Sequence, residues 1–183
     1  MWRWVSIAMA VAASTAPARA HEGATQRLWR ASARGTAEGG VALDVMIALS
    51  LARTPSLLAI AQLDLNHDGR FDLLETALAE AALGDRPDHG LVVALDGRPV
   101  RPVERAVAVQ LDAQGKHVSV AVLATYVSPA PARISVSLTD DGSGVPALVV
   151  SPAPGIRLDG RSAPATCAAG PAPCVFSAAH VAP

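Results

Sequence analysis

Aromatic residues are scarce in this sequence, and four of them lie beyond its first twenty positions. Phe, Trp and Tyr together make up 3% of the 183 residues. Stacking platforms for sugars or nucleic-acid bases need more aromatic surface than this. The formal net charge is −1 and no basic cluster is present, so nucleic acid is a poor partner. The aromatic residues beyond position 20 are Trp29, Phe71, Tyr126 and Phe176.

The motifs of common enzyme classes are also missing. The sequence contains no G-x-S-x-G serine elbow, no glycine-rich phosphate loop, no paired-cysteine redox motif and no zinc helix motif. The DGSG segment at residues 141–144 is typical of a turn between strands. We therefore expect a protein that is not an enzyme, although His, Asp and Ser side chains from distant positions could still meet in the fold.

The N-terminus has the order of a secretory signal peptide. Arg3 precedes an apolar run over residues 5–13, and small residues follow at the A-x-A of residues 18–20. The run is too short for a stable bilayer span, and no later segment is a transmembrane candidate. Retention of the N-terminus in a membrane is the alternative. We expect residues 1–20 to be removed, His21 to become the N-terminus, and the protein to be periplasmic or secreted.

Only two cysteines are present, Cys167 and Cys174. In an oxidising compartment, such a short-range pair favours a disulfide over a metal site or a redox centre. The closed loop is short, so the chain-entropy model gives about 2–3 kcal/mol of stabilisation. We expect the disulfide to clip a Pro/Ala-rich C-terminal tail, residues 161–183.

Alternating apolar residues predict that most of the chain is β-structure. In residues 41–51, Val, Leu and Ile recur at every second position, which is typical of a strand with one buried face. A turn at residues 38–40 predicts that residues 26–36 form the hairpin partner. The second half of the chain has further strand-length runs joined by turns such as Asp96-Gly97. The pattern predicts an antiparallel β-sandwich or barrel over residues 21–160.

Residues 54–84 interrupt this pattern with two predicted helices. Thr54 is a suitable N-cap and Pro55 a suitable first helical residue, so the first helix is predicted to end near Leu63. The second is predicted from apolar residues at helical spacing and should end at Gly84. The residues with this spacing are Leu74, Ala77, Leu78 and Ala81.

Between the predicted helices lies the acidic stretch DLNHDGRFDLLE, residues 64–75. Oxygen-bearing side chains stand at its first, third, fifth, ninth and twelfth positions, and glycine stands at the sixth, where the chain must turn sharply. The stretch resembles the EF-hand calcium loop at each of these positions. The resemblance implies a calcium site in which the seventh residue offers its backbone carbonyl and a bidentate glutamate closes the shell. The implied ligands are Asp64, Asn66, Asp68, Arg70, Asp72 and Glu75.

Calcium is favoured over magnesium because a bidentate glutamate at the twelfth position suits the larger ion. Four carboxylates in a tight turn repel one another, so binding and local folding are expected to be coupled. EF-hands usually occur in pairs, yet no second loop with this ligand series is present. The helix–loop–helix therefore packs on the β domain, on a second copy of the chain, or on nothing, and a single site of roughly 10⁻⁵ to 10⁻³ M is expected. A solvated acidic loop without metal is the alternative.

A second resemblance concerns the order of the segments. His21, the strand at residues 41–51, the acidic loop and LDGRPV at residues 95–100 follow one another as in bacterial periplasmic proteins linked to nickel- or zinc-type transport. That resemblance implies an accessory role in transition-metal transport. The terminal amine and imidazole of His21 could also chelate copper with His117 or His180, although an ordinary exposed terminus is the simpler interpretation. We predict an exported calcium-binding protein whose protein partner is unknown.

Overall fold

The chain folds mainly into β-structure, with two helices between the second and third strands. The computed structural model describes residues 25–87, 89–130, 132–138, 147–168, 170 and 172–180. The expected signal peptide, His21 and the DGSG turn lie outside the described residues. The strands are β1 (Gln26–Gly35), β2 (Val41–Ser50), β3 (Leu91–Leu95), β4 (Arg98–Pro99), β5 (Glu104–Leu111), β6 (Val118–Ser128), β7 (Ala132–Leu138), β8 (Leu148–Pro152), β9 (Ile156–Leu158), β10 (Ala165–Cys167) and β11 (Cys174–His180), and the helices are α1 (Arg53–Leu63) and α2 (Leu73–Leu83).

β1 and β2 form the antiparallel hairpin that the alternating pattern predicted. Their register pairs Gln26 with Ser50 at one end and Gly35 with Val41 at the other. Every second residue of β2, from Val41 to Leu49, is buried. Successive side chains of a strand point to opposite faces, so this burial follows directly from the sequence pattern.

The hairpin lies within a six-stranded sheet with the order β10-β8-β1-β2-β6-β5. β8 runs parallel to β1, while the other pairings are antiparallel. The sheet is therefore mixed, and the expectation of purely antiparallel strands is wrong for β8. The local pattern could not predict this pairing, because it joins Arg30 to Val149 from opposite ends of the chain.

The second sheet is antiparallel and has the order β4-β3-β7-β11-β9. Its β3–β4 turn uses Asp96 and Gly97, whose φ angles of 49° and 78° suit the tight two-residue turn that the dipeptide predicted. β11 lies between β7 and β9 and carries the buried Phe176. The segment that we expected to be a tail thus supplies an internal strand. Its alternating run CVFSAA is too short to have stood out among the surrounding Pro and Ala.

The two sheets share one hydrophobic core. Trp29 and Leu43 of the first sheet belong to the same buried cluster as Ile134 and Phe176 of the second. These four side chains are at most 2% exposed. Removing this much apolar surface from water is the main contribution to the stability of such a fold.

The predicted disulfide between Cys167 and Cys174 is confirmed. Cys167 ends β10 in the first sheet, and Cys174 begins β11 in the second. Cys167 is fully buried in the shared core. The bond therefore joins the two sheets instead of clipping a tail.

α1 and α2 pack against the first sheet through a second buried cluster. α1 contacts β6 and α2 contacts β5, and the helices also contact each other. These contacts make the β domain the packing partner of the helices within the chain. In the described ranges, neither helix has the length and apolarity that crossing a membrane requires. The second cluster consists of Leu49, Leu51, Ala59, Ala79, Leu83, Val109, Val118 and Val120.

The start of α1 differs from the prediction. Its N-cap is Ala52, which forms no side-chain cap hydrogen bond, so the predicted cap at Thr54 is wrong. The backbone N–H of Leu51 still pairs with β6, and the helix begins directly after that pairing. Pro55 then falls in the first turn, where a missing N–H costs no helical hydrogen bond. At the other end of the helix–loop–helix, α2 stops at Gly84 as predicted.

α2 turns its carboxylates inward, against the arrangement that its apolar spacing suggests. Glu75, Ala79 and Leu83 are buried, whereas Leu74 is 63% and Leu78 41% exposed. Helical spacing reveals which residues share a face but not which way that face points. The direction follows from Ala79 and Leu83, which join the second buried cluster, and from Glu75, whose carboxylate binds the preceding loop.

Candidate functional site

The acidic loop connects the end of α1 to the start of α2. Two of its residues have left-handed backbone, with φ of 58° at His67 and 77° at Gly69. Glycine adopts this conformation without strain because it has no Cβ. The loop therefore turns at Gly69, at the position where the sequence predicted a sharp turn.

Glu75 binds both ends of this loop with one carboxylate. Its Oε1 accepts hydrogen bonds from the N–H groups of Leu65 and Asn66 at 2.7 and 3.1 Å. Its Oε2 accepts the N–H of Asp72 at 2.9 Å. The residue is 1% exposed, so three N–H donors replace the water that a carboxylate requires.

Asp72 caps α2 and completes a reciprocal pair with Glu75. The N–H of Glu75 donates to Oδ1 of Asp72 at 2.9 Å, and the pair forms a capping box. A cap of this kind stabilises a helix by about 1 kcal/mol. Negative charge is also favourable near the N–H groups at a helix N-terminus. The ninth and twelfth loop positions are therefore held together by the start of the helix.

Asp64 organises the other end of the loop. Its Oδ1 accepts the N–H of Asp68 at 3.2 Å and its Oδ2 accepts the N–H of Gly69 at 2.9 Å. Asp64 is 4% exposed. Both loop carboxylates that are buried, Asp64 and Glu75, thus bind backbone N–H groups of the loop itself.

Asn66 and Asp68 are exposed and shape the middle of the loop. Oδ1 of Asn66 accepts the N–H of Asp68 at 2.9 Å, and Oδ1 of Asp68 accepts the N–H of Arg70 at 2.8 Å. Short polar side chains commonly bond to the backbone two residues further along in this way. Arg70 enters this network through its backbone N–H, whereas the role predicted for its position uses the backbone carbonyl.

The donor set is made of oxygen atoms only. Carboxylate, amide and carbonyl oxygens suit hard cations such as calcium, whereas softer metals favour nitrogen and sulfur. In the described part of the chain, no three Asp, Glu, His or Cys side chains converge closely enough to hold a metal ion. The loop carboxylates are instead directed at backbone N–H groups. The predicted ligands are thus brought together in one hydrogen-bond network rather than around a single point.

The turn between β5 and β6 contacts this loop, which sequence reasoning did not anticipate. Gly115 lies in that turn with φ of 64°, and a Cβ placed on it would be 2.8 Å from the carbonyl oxygen of Gly69. Such a distance is shorter than the van der Waals contact of the two atoms. No local signal reports this approach, because the two glycines belong to separate elements.

Asp112 holds the same turn in shape. Its Oδ1 accepts the N–H groups of Lys116 and His117 at 2.7 and 3.2 Å. These hydrogen bonds, that from Lys116 first, stabilise the carboxylate and lower the pKa of Asp112 below its usual value. The ionised carboxylate of Asp112 therefore favours the turn that supports the acidic loop.

A cleft of about 670 Å³ is lined by residues of both the acidic loop and the β5–β6 turn. Phe71, the eighth loop residue, lines the cleft and packs half-buried against the second cluster. This position would contact a second loop in a paired EF-hand, and here it contacts the β domain. The polar residues that line the cleft are Asp68, Arg70, Thr76, Gln110, Asp112 and Gln114.

Of the histidines predicted as transition-metal ligands, His117 is the one whose side chain lies within the described residues. His117 is half-buried at the end of the β5–β6 turn, and its backbone N–H donates to the Asp112 carboxylate. His21 lies outside the described residues, as does the side chain of His180.

Comparison with known proteins adds no relative. The sequence matches no protein-family model, and no significant match is found among curated proteins or solved structures.

Proposed function

We propose that this protein binds one calcium ion in the loop from Asp64 to Glu75, as a single EF-hand carried by a β domain. The observation that carries the proposal is the burial of two carboxylates, Asp64 and Glu75, at the first and twelfth positions of the loop. Both are fully engaged with loop N–H groups. Both stand at positions where an EF-hand loop needs a carboxylate, and their hydrogen bonds hold these carboxylates within the loop.

The remaining predicted ligands support the same assignment. Asn66 and Asp68 are exposed at the third and fifth positions, and Asp72 stands at the ninth. Gly69 supplies the left-handed turn that an EF-hand loop requires at its sixth position. Calcium competes with the N–H groups for the oxygens of Asp64 and Glu75, so we expect an affinity of roughly 10⁻⁵ to 10⁻³ M rather than tighter.

The ion is proposed to be structural and to modulate the surface around the cleft. The loop joins two helices that pack on β5 and β6, and its Gly69 contacts the turn between these strands. Neutralising the loop carboxylates therefore stabilises the helices and the turn together. We propose an exported location as well, because a disulfide joins the two sheets and disulfides persist in oxidising compartments.

Thermal unfolding with and without calcium tests this proposal. At a hundredfold excess of calcium over its dissociation constant, linkage adds about 2.7 kcal/mol of stability. That corresponds to a rise in Tm of about 5–10 °C for a domain of this size. Chelator should remove the increase, and equimolar magnesium should give a smaller one. Identical melting curves in calcium and in chelator would contradict a structural ion.

The alternative role in transition-metal transport has no supporting contact among the described residues. Metal analysis of the purified protein distinguishes the two roles. A protein that contains calcium alone agrees with the proposal. A protein that contains nickel, zinc or copper, and loses that metal when His21 is removed, would favour the transport role instead. The prediction that the protein is not an enzyme stands beside the calcium proposal without depending on it.

A further inference from the structure

The two helices and the loop between them expose six leucines, which we call the leucine face. Their exposures range from 41% at Leu78 to 94% at Leu73. Apolar residues of a surface helix normally face the core, yet these helices bury Ser56 and Glu75. Large apolar patches on a soluble protein mark interaction sites. The leucine face consists of Leu57, Leu58, Leu65, Leu73, Leu74 and Leu78.

The outer sides of the helices carry almost no charge. The charged residues of α2 are Glu75 and Glu80, which are buried and half-buried. The charged residue of α1 is Arg53, at its first position. A lipid surface is a poor match, since helices that lie on membranes carry several Lys or Arg on their polar side. A charged partner would find no complementary group on the helices themselves, because the exposed charges beside the leucine face belong to the acidic loop, at Asp68, Arg70 and Asp72.

The size of the leucine face matches what a symmetric dimer requires. With these exposures, the six leucines leave on the order of 400 Å² of apolar surface. A standard interface buries about 800 Å² on each partner, of which roughly 60% is nonpolar. The exposed Ala77 and Ala81 lie beside Leu74 and Leu78 on α2, so large and small side chains alternate in the way that close helix packing uses.

We propose that two copies of this chain associate through their leucine faces. The contact is isologous, because each copy presents the same helices to the other and the assembly closes at two subunits. The β domain already covers the inner sides of α1 and α2, which leaves the outer sides for the second copy. The proposal does not rest on calcium binding, because the helices pack on the first sheet through their own side chains.

Sedimentation velocity of the purified protein, from about 1 to 100 µM, tests the dimer. We expect a monomer–dimer equilibrium both in calcium and in EGTA. The double substitution Leu74→Gln and Leu78→Gln should raise the dissociation constant at least tenfold, and both side chains are exposed, so folding should be retained. Leu28→Gln is the matched control, because Leu28 is 48% exposed in β1 and lies outside the leucine face.

Three outcomes would overturn the proposal. The first is a wild-type protein that is monomeric throughout this range of concentration. The second is a double variant whose dissociation constant equals that of the wild type, or a Leu28→Gln variant that alone becomes monomeric. The third is a monomer that sediments with vesicles of phosphatidylcholine, which would assign the leucine face to a lipid surface. A failure to bind calcium would leave the expected dimer unchanged.

Discussion

The backbone of Gly115 lies against the carbonyl oxygen of Gly69, so the β5–β6 turn supports the sixth residue of the acidic loop. A Cβ on Gly115 would be 2.8 Å from that oxygen. The helix–loop–helix is thus braced by the β domain at the position where the loop bends most sharply. This contact links the stability of the sheet to the geometry of the proposed calcium ligands.

Replacing Gly115 with alanine should therefore affect both the fold and calcium binding. The left-handed φ of 64° at Gly115 costs an alanine about 1 kcal/mol, and the crowding adds about 1–2 kcal/mol. Gly97→Ala is the matched control, since Gly97 has φ of 78° but nothing within 4 Å of its Cβ position. Urea unfolding and calcium titration should show that only Gly115→Ala loses calcium affinity. Equal effects of the two variants on both measurements would contradict the bracing contact.

Ser56 joins α1 to β6, and replacing it should destabilise the fold more than replacing most other polar residues. Its Oγ donates to the carbonyl of Leu51 and accepts the N–H of Val118, both at 3.1 Å, and it is 0% exposed. Ser56→Ala leaves a buried N–H without a partner, which should lower the free energy of unfolding by about 1–3 kcal/mol. Chemical denaturation measures this loss. The exposed Ser119 of β6 is the control, and Ser119→Ala should change stability by less than about 0.5 kcal/mol. A Ser56→Ala variant as stable as this control would contradict the prediction.

Asp112 should make the stability of the protein depend on pH. Because its pKa is lower in the folded than in the unfolded chain, protonation favours unfolding. Its contribution is present above the ordinary value of 3.8 and is lost as pH falls through the lowered value. Urea midpoints at neutral pH and in this acidic window should therefore differ less for Asp112→Asn than for the wild type. Equal differences for the two proteins would show that the carboxylate does not stabilise the turn.

Reducing the disulfide should weaken the association of the two sheets. Cys167 and Cys174 are separated by seven positions, for which the chain-entropy model gives about 2–3 kcal/mol. Replacing both cysteines with serine should lower the urea midpoint, and reduction of the wild type should have a similar effect. A reduced protein with an unchanged midpoint would indicate that strand pairing alone holds β10 and β11 in place.

The elements with a strong local pattern could be predicted from the sequence. The alternation in β2 and the Asp96-Gly97 turn each report a local backbone preference, and both are present in the structure. The positions of Asp64 and Glu75 also follow from the spacing of the acidic loop. The spacing does not show that these two carboxylates are buried, which the structure adds.

Other features depend on contacts between distant residues. The parallel pairing of β8 with β1 and the approach of Gly115 to Gly69 leave no local signal. The exposed side of α2 was also not predictable, because apolar spacing marks Leu74 and Leu78 as one face without giving its direction. The inward position of Glu75, set by its hydrogen bonds to the loop, and the packing of Ala79 and Leu83 in the second cluster together turn the leucines outward.

The most direct test of calcium binding is a calorimetric titration of the wild type beside Glu75→Gln and Glu80→Gln. Both glutamates lie on α2, but only Glu75 belongs to the loop network, so Glu80→Gln controls for the loss of one charge. We predict one calcium site for the wild type and for Glu80→Gln, with dissociation constants within about twofold of each other, and a loss of roughly a hundredfold or more for Glu75→Gln. Absence of calcium-dependent heat in the wild type, or unchanged binding by Glu75→Gln, would contradict the account.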